Sequence, residues 1–232
     1  MGAFSNSKSA QASAPEYDKS VIEKIIVKCD SVSLGQPITE CDFKLPEELN
    51  DIDSVFVSVH YGSKQKCQIE NSFDVNCVAV PVPNQTGIFN AYIYLNDIKY
   101  ETSGAAVVYE PSDVMADMLL NPEKGNVDNL KYIRATLLNL NIQNQQNFDL
   151  DDLKCDFYGA PKTNDQSPSE WVLLEKGISY QTSKNCSALV SQSDTGEDVA
   201  YELKVSVYSE KVNWYRFNFY STIYTQMFKS AN

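Results

Sequence analysis

The chain is short of the residues that most often carry chemistry. It has one histidine, His60, and two arginines, Arg134 and Arg216, in 232 residues. A Ser-His-Asp or Cys-His mechanism would have to use His60, and no nucleophile-elbow signature surrounds any serine. Two arginines leave little for bidentate capture of phosphate or carboxylate. No Gly-rich phosphate loop occurs, and the cysteine spacings fit no zinc finger or ribbon. No apolar run approaches the ~18 residues of a membrane span, and no apolar stretch after Met1 reads as a signal peptide. Basic charge is scarce as well: 19 Lys and Arg against 31 Asp and Glu leave a net charge of −12. That balance repels nucleic-acid phosphates and anionic membrane surfaces alike. The expectation is a protein with no catalytic set, no cofactor, no metal and no nucleic-acid partner.

Aromatic and β-branched residues are plentiful. Fourteen Tyr, ten Phe and a hydrophobic content of 43% are enough for packed cores and exclude a disordered chain. The length suits two β-sandwiches of roughly 100 residues each. Residues 55–109 hold the clearest pattern. Ser54–Tyr61 and Asp74–Val80 read as strands, and Pro81 and Pro83 end the second run by removing donors. In Ile88–Asn96, Ile88, Asn90, Tyr92 and Tyr94 take one side, and Phe89, Ala91, Ile93 and Leu95 the other. Further strands are expected at Ser20–Val32, Glu40–Leu45 and Lys99–Tyr109.

The period changes after Pro111. Val114, Met115, Met118 and Leu119 fit a short helix at about 112–120, with Ser112 or Asp113 as its N-cap. The second half then echoes the first. Leu153–Gly159 resembles Val57–Gly62, Asn185–Val190 resembles Asn76–Val80, and Ala200–Tyr208 resembles Ala91–Leu95. Tyr132–Ile142 and Val212–Tyr224 are further strands, the last entered through a tight turn at Ser209-Glu210-Lys211. Two imperfect copies at a spacing of ~100 residues read as tandem domains. The expected organisation is a flexible arm (1–18), a sandwich (19–110), a linker with the short helix (111–126) and a second sandwich (127–232). The fold class is all-β: two tandem immunoglobulin-like antiparallel β-sandwiches.

Six cysteines, an even number in a β-rich chain, suggest disulfides and an oxidising compartment. The alternative is six buried thiols in a reducing one. Cys67 and Cys77, ten residues apart across a hairpin, are within bridging reach. Cys29 and Cys41 could pair likewise, leaving Cys155 with Cys186. Sequence alone allows 15 connectivities. The compartment is extracellular or the cell surface if these bonds form, and cytoplasmic otherwise. Gly2 carries a partial myristoylation pattern with Asn6 where Ser or Thr is expected. Only with that acyl chain would weak membrane association follow.

Other motifs are weak. Asp149-Leu150-Asp151-Asp152 lacks the Gly and Glu of an EF-hand and reads as a solvated acidic turn. Asp194–Asp198 reads as a loop. Asn84-Gln85-Thr86 is the more credible of two glycosylation sequons, since Asn185 sits beside a disulfide candidate. The best candidate surface is the last strand. Tyr215, Phe217 and Phe219 should face the core, and Trp214, Arg216, Asn218 and Tyr220 the other side. Trp, Tyr and Arg are enriched at binding hot spots. The alternative is a face covered by the linker helix, with Arg216 lying on Trp214.

Val55-Phe56-Val57-Ser58-Val59, Gly62, Cys67, Cys77, Pro81 with Pro83, and Gly87 together resemble the IPT/TIG domain. That is the immunoglobulin-like fold of plexin and hepatocyte-growth-factor-receptor ectodomains and of some transcription factors. The resemblance covers about 55 residues. The family's Gly-rich opening strand is missing, with Ser33-Leu34-Gly35-Gln36-Pro37 in its place. The second half keeps the strand order without the close cysteine pair. The resemblance implies no catalytic residues. It implies adhesion or ligand binding for surface forms, and dimerisation or DNA contact for intracellular ones; the acidic charge disfavours DNA. The reading is a non-enzymatic binding or adhesion protein with a protein partner or self-association. The alternatives are a structural assembly subunit, such as a coat or viral surface component, or a carbohydrate-binding module resting on Trp214 and Tyr220.

Overall fold

The alternating runs form strands, and the chain is almost wholly β. A computed structural model describes residues 17–71, 73–124, 131–143, 152–162, 171–180, 184–191, 200–211 and 215–229. The first half holds β1 (Lys28–Asp30), β2 (Val32–Ser33), β3 (Ile38–Lys44), β4 (Val55–Val59), β5 (Gln65–Lys66), β6 (Gln68–Glu70), β7 (Asp74–Pro81), β8 (Gly87–Leu95) and β9 (Ile98–Tyr109). The second holds β10 (Val114–Lys124), β11 (Lys131–Ile142), β12 (Leu153–Pro161), β13 (Val172–Ser179), β14 (Asn185–Ser191), β15 (Tyr201–Ser209) and β16 (Tyr215–Ile223). Among the described residues two short helices, α1 (Lys19–Ile22) and α2 (Thr225–Lys229), lie near the ends. Neither is long and apolar enough to cross a membrane.

In the first half, β1, β3, β7 and β6 pair in that order, and β9, β8, β4 and β5 form a second run. Apolar side chains of both runs meet in one core, Cys29, Phe43 and Val75 from the first and Val57, Ile93 and Ala106 from the second. In the second half, β10-β11-β14 is a separate three-stranded sheet, while β13, β12, β15 and β16 pair in that order. Ile133, Leu137 and Val190 pack there against Phe157, Leu203 and Val205. A third cluster of Val107, Val114, Tyr215 and Phe217 lies where the halves meet.

The halves are joined by main-chain hydrogen bonds. β1 runs parallel to β16, with Cys29 opposite Tyr215 and Asp30 opposite Arg216, and the Ser31 amide donates to the Arg216 carbonyl at 2.7 Å. β1 is also antiparallel to β3 and parallel to β9 at Lys28 opposite Ala105. Purely antiparallel pairing was expected; the short first strand instead exchanges partners along its length. Such close strand entry needs a bare backbone at Gly104, where a Cβ would lie 2.4 Å from the Val27 carbonyl oxygen.

All six cysteines are bonded: Cys29 to Cys41, Cys67 to Cys77 and Cys155 to Cys186. Cys29 is the register partner of Cys41 and Cys41 that of Cys77. Two disulfides therefore sit side by side in one row across β1, β3 and β7, facing the core.

The linker helix expected at 112–120 does not form; Val114–Lys124 is strand β10, antiparallel to β11. Val114, Met115, Met118 and Leu119 satisfy a helical period, but Val114, Ala116, Met118 and Leu120 also satisfy a period of two. Those four are among the more buried residues along that stretch, and three of them, Ala116, Met118 and Leu120, pack on the second core. Long-range pairing with β11 supplies the hydrogen bonds that a short isolated helix lacks. Pro122 is tolerated because β10 is an edge strand. The strand expected at Ser20–Val32 begins instead as α1, capped by Asp18, whose side chain accepts from the Ser20 amide at 2.8 Å. Strand β13 had no expected counterpart; its burial scarcely alternates. Residues 1–16 of the expected arm, with Gly2, residues 149–151 and 194–198, and Trp214 lie outside the described residues; the arm's last two residues are held in place, Tyr17 donating its amide to the Tyr100 hydroxyl and Asp18 capping α1.

Candidate functional site

Period two places Arg216, Asn218 and Tyr220 on one face of β16, and Tyr215 and Phe217 on the other, where they are 1% and 0% exposed. Register carries that outer face across the sheet. Tyr158 on β12 lies opposite Lys204 on β15, and Lys204 lies opposite Tyr220. The next row is Asp156, Ser206 and Asn218, with the Ser206 hydroxyl donating to Asn218 Oδ1 at 2.6 Å.

Tyr158, Lys204, Ser206 and Arg216 of this face, with Trp171, form one wall of a cleft of about 990 Å³; residues of β1, β3 and β7 form most of the other. Cysteines on β1 and β3 point to the core, so Lys28, Glu40 and Asp42 must point outward into the cleft. Arg216 closes its floor. The guanidinium donates from Nε to Asp30 Oδ1 and sits 2.5 Å from Asp42 Oδ2 through Nη2. Burial works against its charge, but Asp30 and Asp42 outweigh that and raise its pKa. Arg216 is therefore engaged with two carboxylates of the first half. Trp214, its expected stacking partner, is not among the described residues.

Lys204 is 8% exposed. Its Nζ lies 5.0 Å from the Tyr158 ring centroid and 4.8 Å from that of Trp171. Among the described residues it has no hydrogen-bond or ion-pair partner. Burial lowers its pKa, with Asp30 pulling the other way. Trp171, just before β13, lies 6.1 Å from the Tyr220 ring, and Tyr220 is 58% exposed. Across the cleft the Glu40 carboxyl is raised, first by desolvation and then by Asp30.

Asp156 holds the wall in place. Its carboxylate accepts from the Gly177 amide at 2.7 Å, from the Tyr208 hydroxyl at 3.1 Å and from Tyr158 at 3.4 Å. Burial and the Asp156 charge push Tyr158 up to about 12, so its hydroxyl stays protonated. Gly177 has φ 66°, the left-handed region that favours glycine, and this turns its amide towards Asp156.

Of the residues expected in the binding surface, Arg216, Asn218 and Tyr220 share one face. Tyr158, Trp171, Lys204, Glu40 and Asp156 were not singled out from sequence, because strand register alone brings them together. His60 stands apart, its ring 4.1 Å from that of Tyr61 beside a small pocket of about 140 Å³. Asn84 is exposed in a bend. Asn185 is half-buried in β14. Asp152, at the end of the acidic run, accepts from the Ser209 hydroxyl at 2.7 Å.

No family model matches the chain, and no curated protein does. Among solved structures it is similar to the Yersinia pseudotuberculosis adhesin InvE, at 12% identity over 85% of this chain, with a TM-score of 0.26. The chain spans 58% of that adhesin's length.

Proposed function

We propose that this protein is a non-enzymatic binding or adhesion protein built from two tandem immunoglobulin-like sandwiches. Several features support the architecture: two separate cores, a β1-β3-β7-β6 run facing a β9-β8-β4-β5 run, and a β10-β11-β14 sheet facing a β13-β12-β15-β16 run. The three-on-four layering of the second half has the seven strands of a constant-type immunoglobulin fold, and the four-on-four layering of the first has one more. The IPT/TIG resemblance of residues 55–109 belongs to the same proposal. The three disulfides are compatible with an extracellular setting, and the cell surface is the compartment we assign.

The observation that carries the binding reading is the cleft. Its walls are held before any ligand arrives, by the β1–β16 pairing, the Arg216 ion triad and the Asp156 hydrogen bonds. Preorganisation of this kind removes part of the ordering cost of binding. Its open side presents Tyr, Trp and charged side chains, the composition of binding hot spots. The test is binding of labelled protein to arrays of extracellular proteins and glycans. The expected result is saturable binding that Tyr220→Ala weakens by about tenfold, the size of a moderate hot spot. Absence of saturable binding to any arrayed molecule, or binding indifferent to every substitution in the cleft, would reject it.

A further inference from the structure

We propose that the cleft binds an uncharged saccharide, with Trp171 as the stacking platform and Lys204 and Glu40 as donor and acceptor to its hydroxyls. The proposal rests on the binding reading above and names its ligand class. Size is the first argument. About 990 Å³ is at the upper end of small-ligand sites, roughly 300–1,000 Å³, and fits a few linked sugar rings.

The unspent polar groups are the second argument. The Lys204 stem is covered, two rings flank its ammonium, and that ammonium opens on the cleft with its donors uncommitted among the described residues. The Glu40 carboxylate, on an exposed residue of the facing wall, also has no partner among the described residues. One is a donor only and the other, ionised, an acceptor only. A sugar hydroxyl both donates and accepts, so neighbouring hydroxyls on one ring satisfy the pair.

Charge is the third. Five Lys and Arg side chains line the cleft against four carboxylates. An anionic ligand would meet Glu40, Asp42, Glu70 and Asp74, and a cationic one would meet Lys204, Arg216 and three further lysines. That mixture of charge favours a neutral polyol over either. The fourth is the aromatic lining. The faces of Trp171 and Tyr158, which line the cleft, carry negative quadrupole density, which attracts the weakly positive C–H bonds on the apolar face of a pyranose ring.

The test uses the full chain carrying Trp214→Phe, which leaves Trp171 as the sole tryptophan. Its emission is followed while hexasaccharides of glucose, N-acetylglucosamine, mannose and galactose are added up to about 10 mM, with hexagalacturonate and spermine as charged comparators. The expected result is a saturable change with at least one neutral hexasaccharide. By calorimetry, Trp171→Ala should weaken that binding at least about tenfold, and Glu40→Gln and Lys204→Met each about threefold or more. If Trp171→Ala fails to fold, the other two variants decide. The proposal is overturned if no neutral saccharide saturates, if a charged comparator binds more tightly, or if Glu40→Gln and Lys204→Met change nothing. Saturable binding to an arrayed protein without any saccharide response would reject this inference and leave the binding reading standing. Silence on both would reject both.

Discussion

Arg216→Met removes the cation that joins the two halves of the molecule, and its cost can be worked from the structure. Asp30 and Asp42 are left facing each other without a counter-charge. The Asp30 side chain is 11% exposed, that of Arg216 23%, and that of Asp42 42%. Stranding a fully buried partner costs about 3–5 kcal/mol. Solvent reaches Asp42, so the expected loss is smaller, about 2–3 kcal/mol. In a chain of this length that lowers the melting temperature by about 5–10 °C. Arg216 itself adds no pH dependence: its pKa is raised from an already high value, so it stays charged wherever the protein is folded. A triple variant, Asp30→Asn, Asp42→Asn and Arg216→Met, should recover to within about 1 kcal/mol of the starting protein, because the stranded charge is gone. Chemical denaturation of the two variants measures both quantities. A loss under about 0.5 kcal/mol for Arg216→Met would show that the triad does not hold the halves together. A triple variant as unstable as the single one would show that the loss comes from packing.

Three other outcomes are expected. Gly104→Ala should destabilise by about 3 kcal/mol, the upper end of overpacking costs, because the new Cβ meets Val27 main chain at 2.4 and 2.9 Å; a melt unchanged by it would contradict the close approach of β9 to the segment before β1. Replacing both Cys67 and Cys77 by Ser opens a loop with a sequence separation of 10 and should cost about 3 kcal/mol in the chain-entropy model, while non-reducing peptide mapping of the native protein should recover all three bonds and no free thiol. Glu40 holds its proton above the free value of 4.5 when folded, so its ionisation weakens the fold as pH rises through the folded value; Glu40→Gln should raise the melting temperature near neutral pH and leave it unchanged well below 4.5, and a loss at neutral pH would reverse the sign and reject the argument.

Local pattern determined much of this protein. Alternation in Val55–Val59, Asp74–Val80, Ile88–Leu95 and Tyr215–Phe219 is a property of neighbouring residues, and a strand must present them to opposite faces wherever it ends up. That is why the all-β class and the shared face of Arg216, Asn218 and Tyr220 were legible in the sequence. Cysteine spacing was legible for the same reason, since the short loops between Cys29 and Cys41 and between Cys67 and Cys77 suit a bond between adjacent strands. Val114–Lys124 satisfies two periods at once, and only pairing with β11 chose strand over helix. Val172–Ser179 satisfies neither, so β13 exists because β12 offers it hydrogen bonds. Beyond that shared face of β16, the candidate site lies on the second side of that divide. Trp171 meets Lys204 and Tyr220, and Asp30 meets Arg216, across separations of 33, 49 and 186 residues. Register between distant strands sets those meetings, and no local period encodes register.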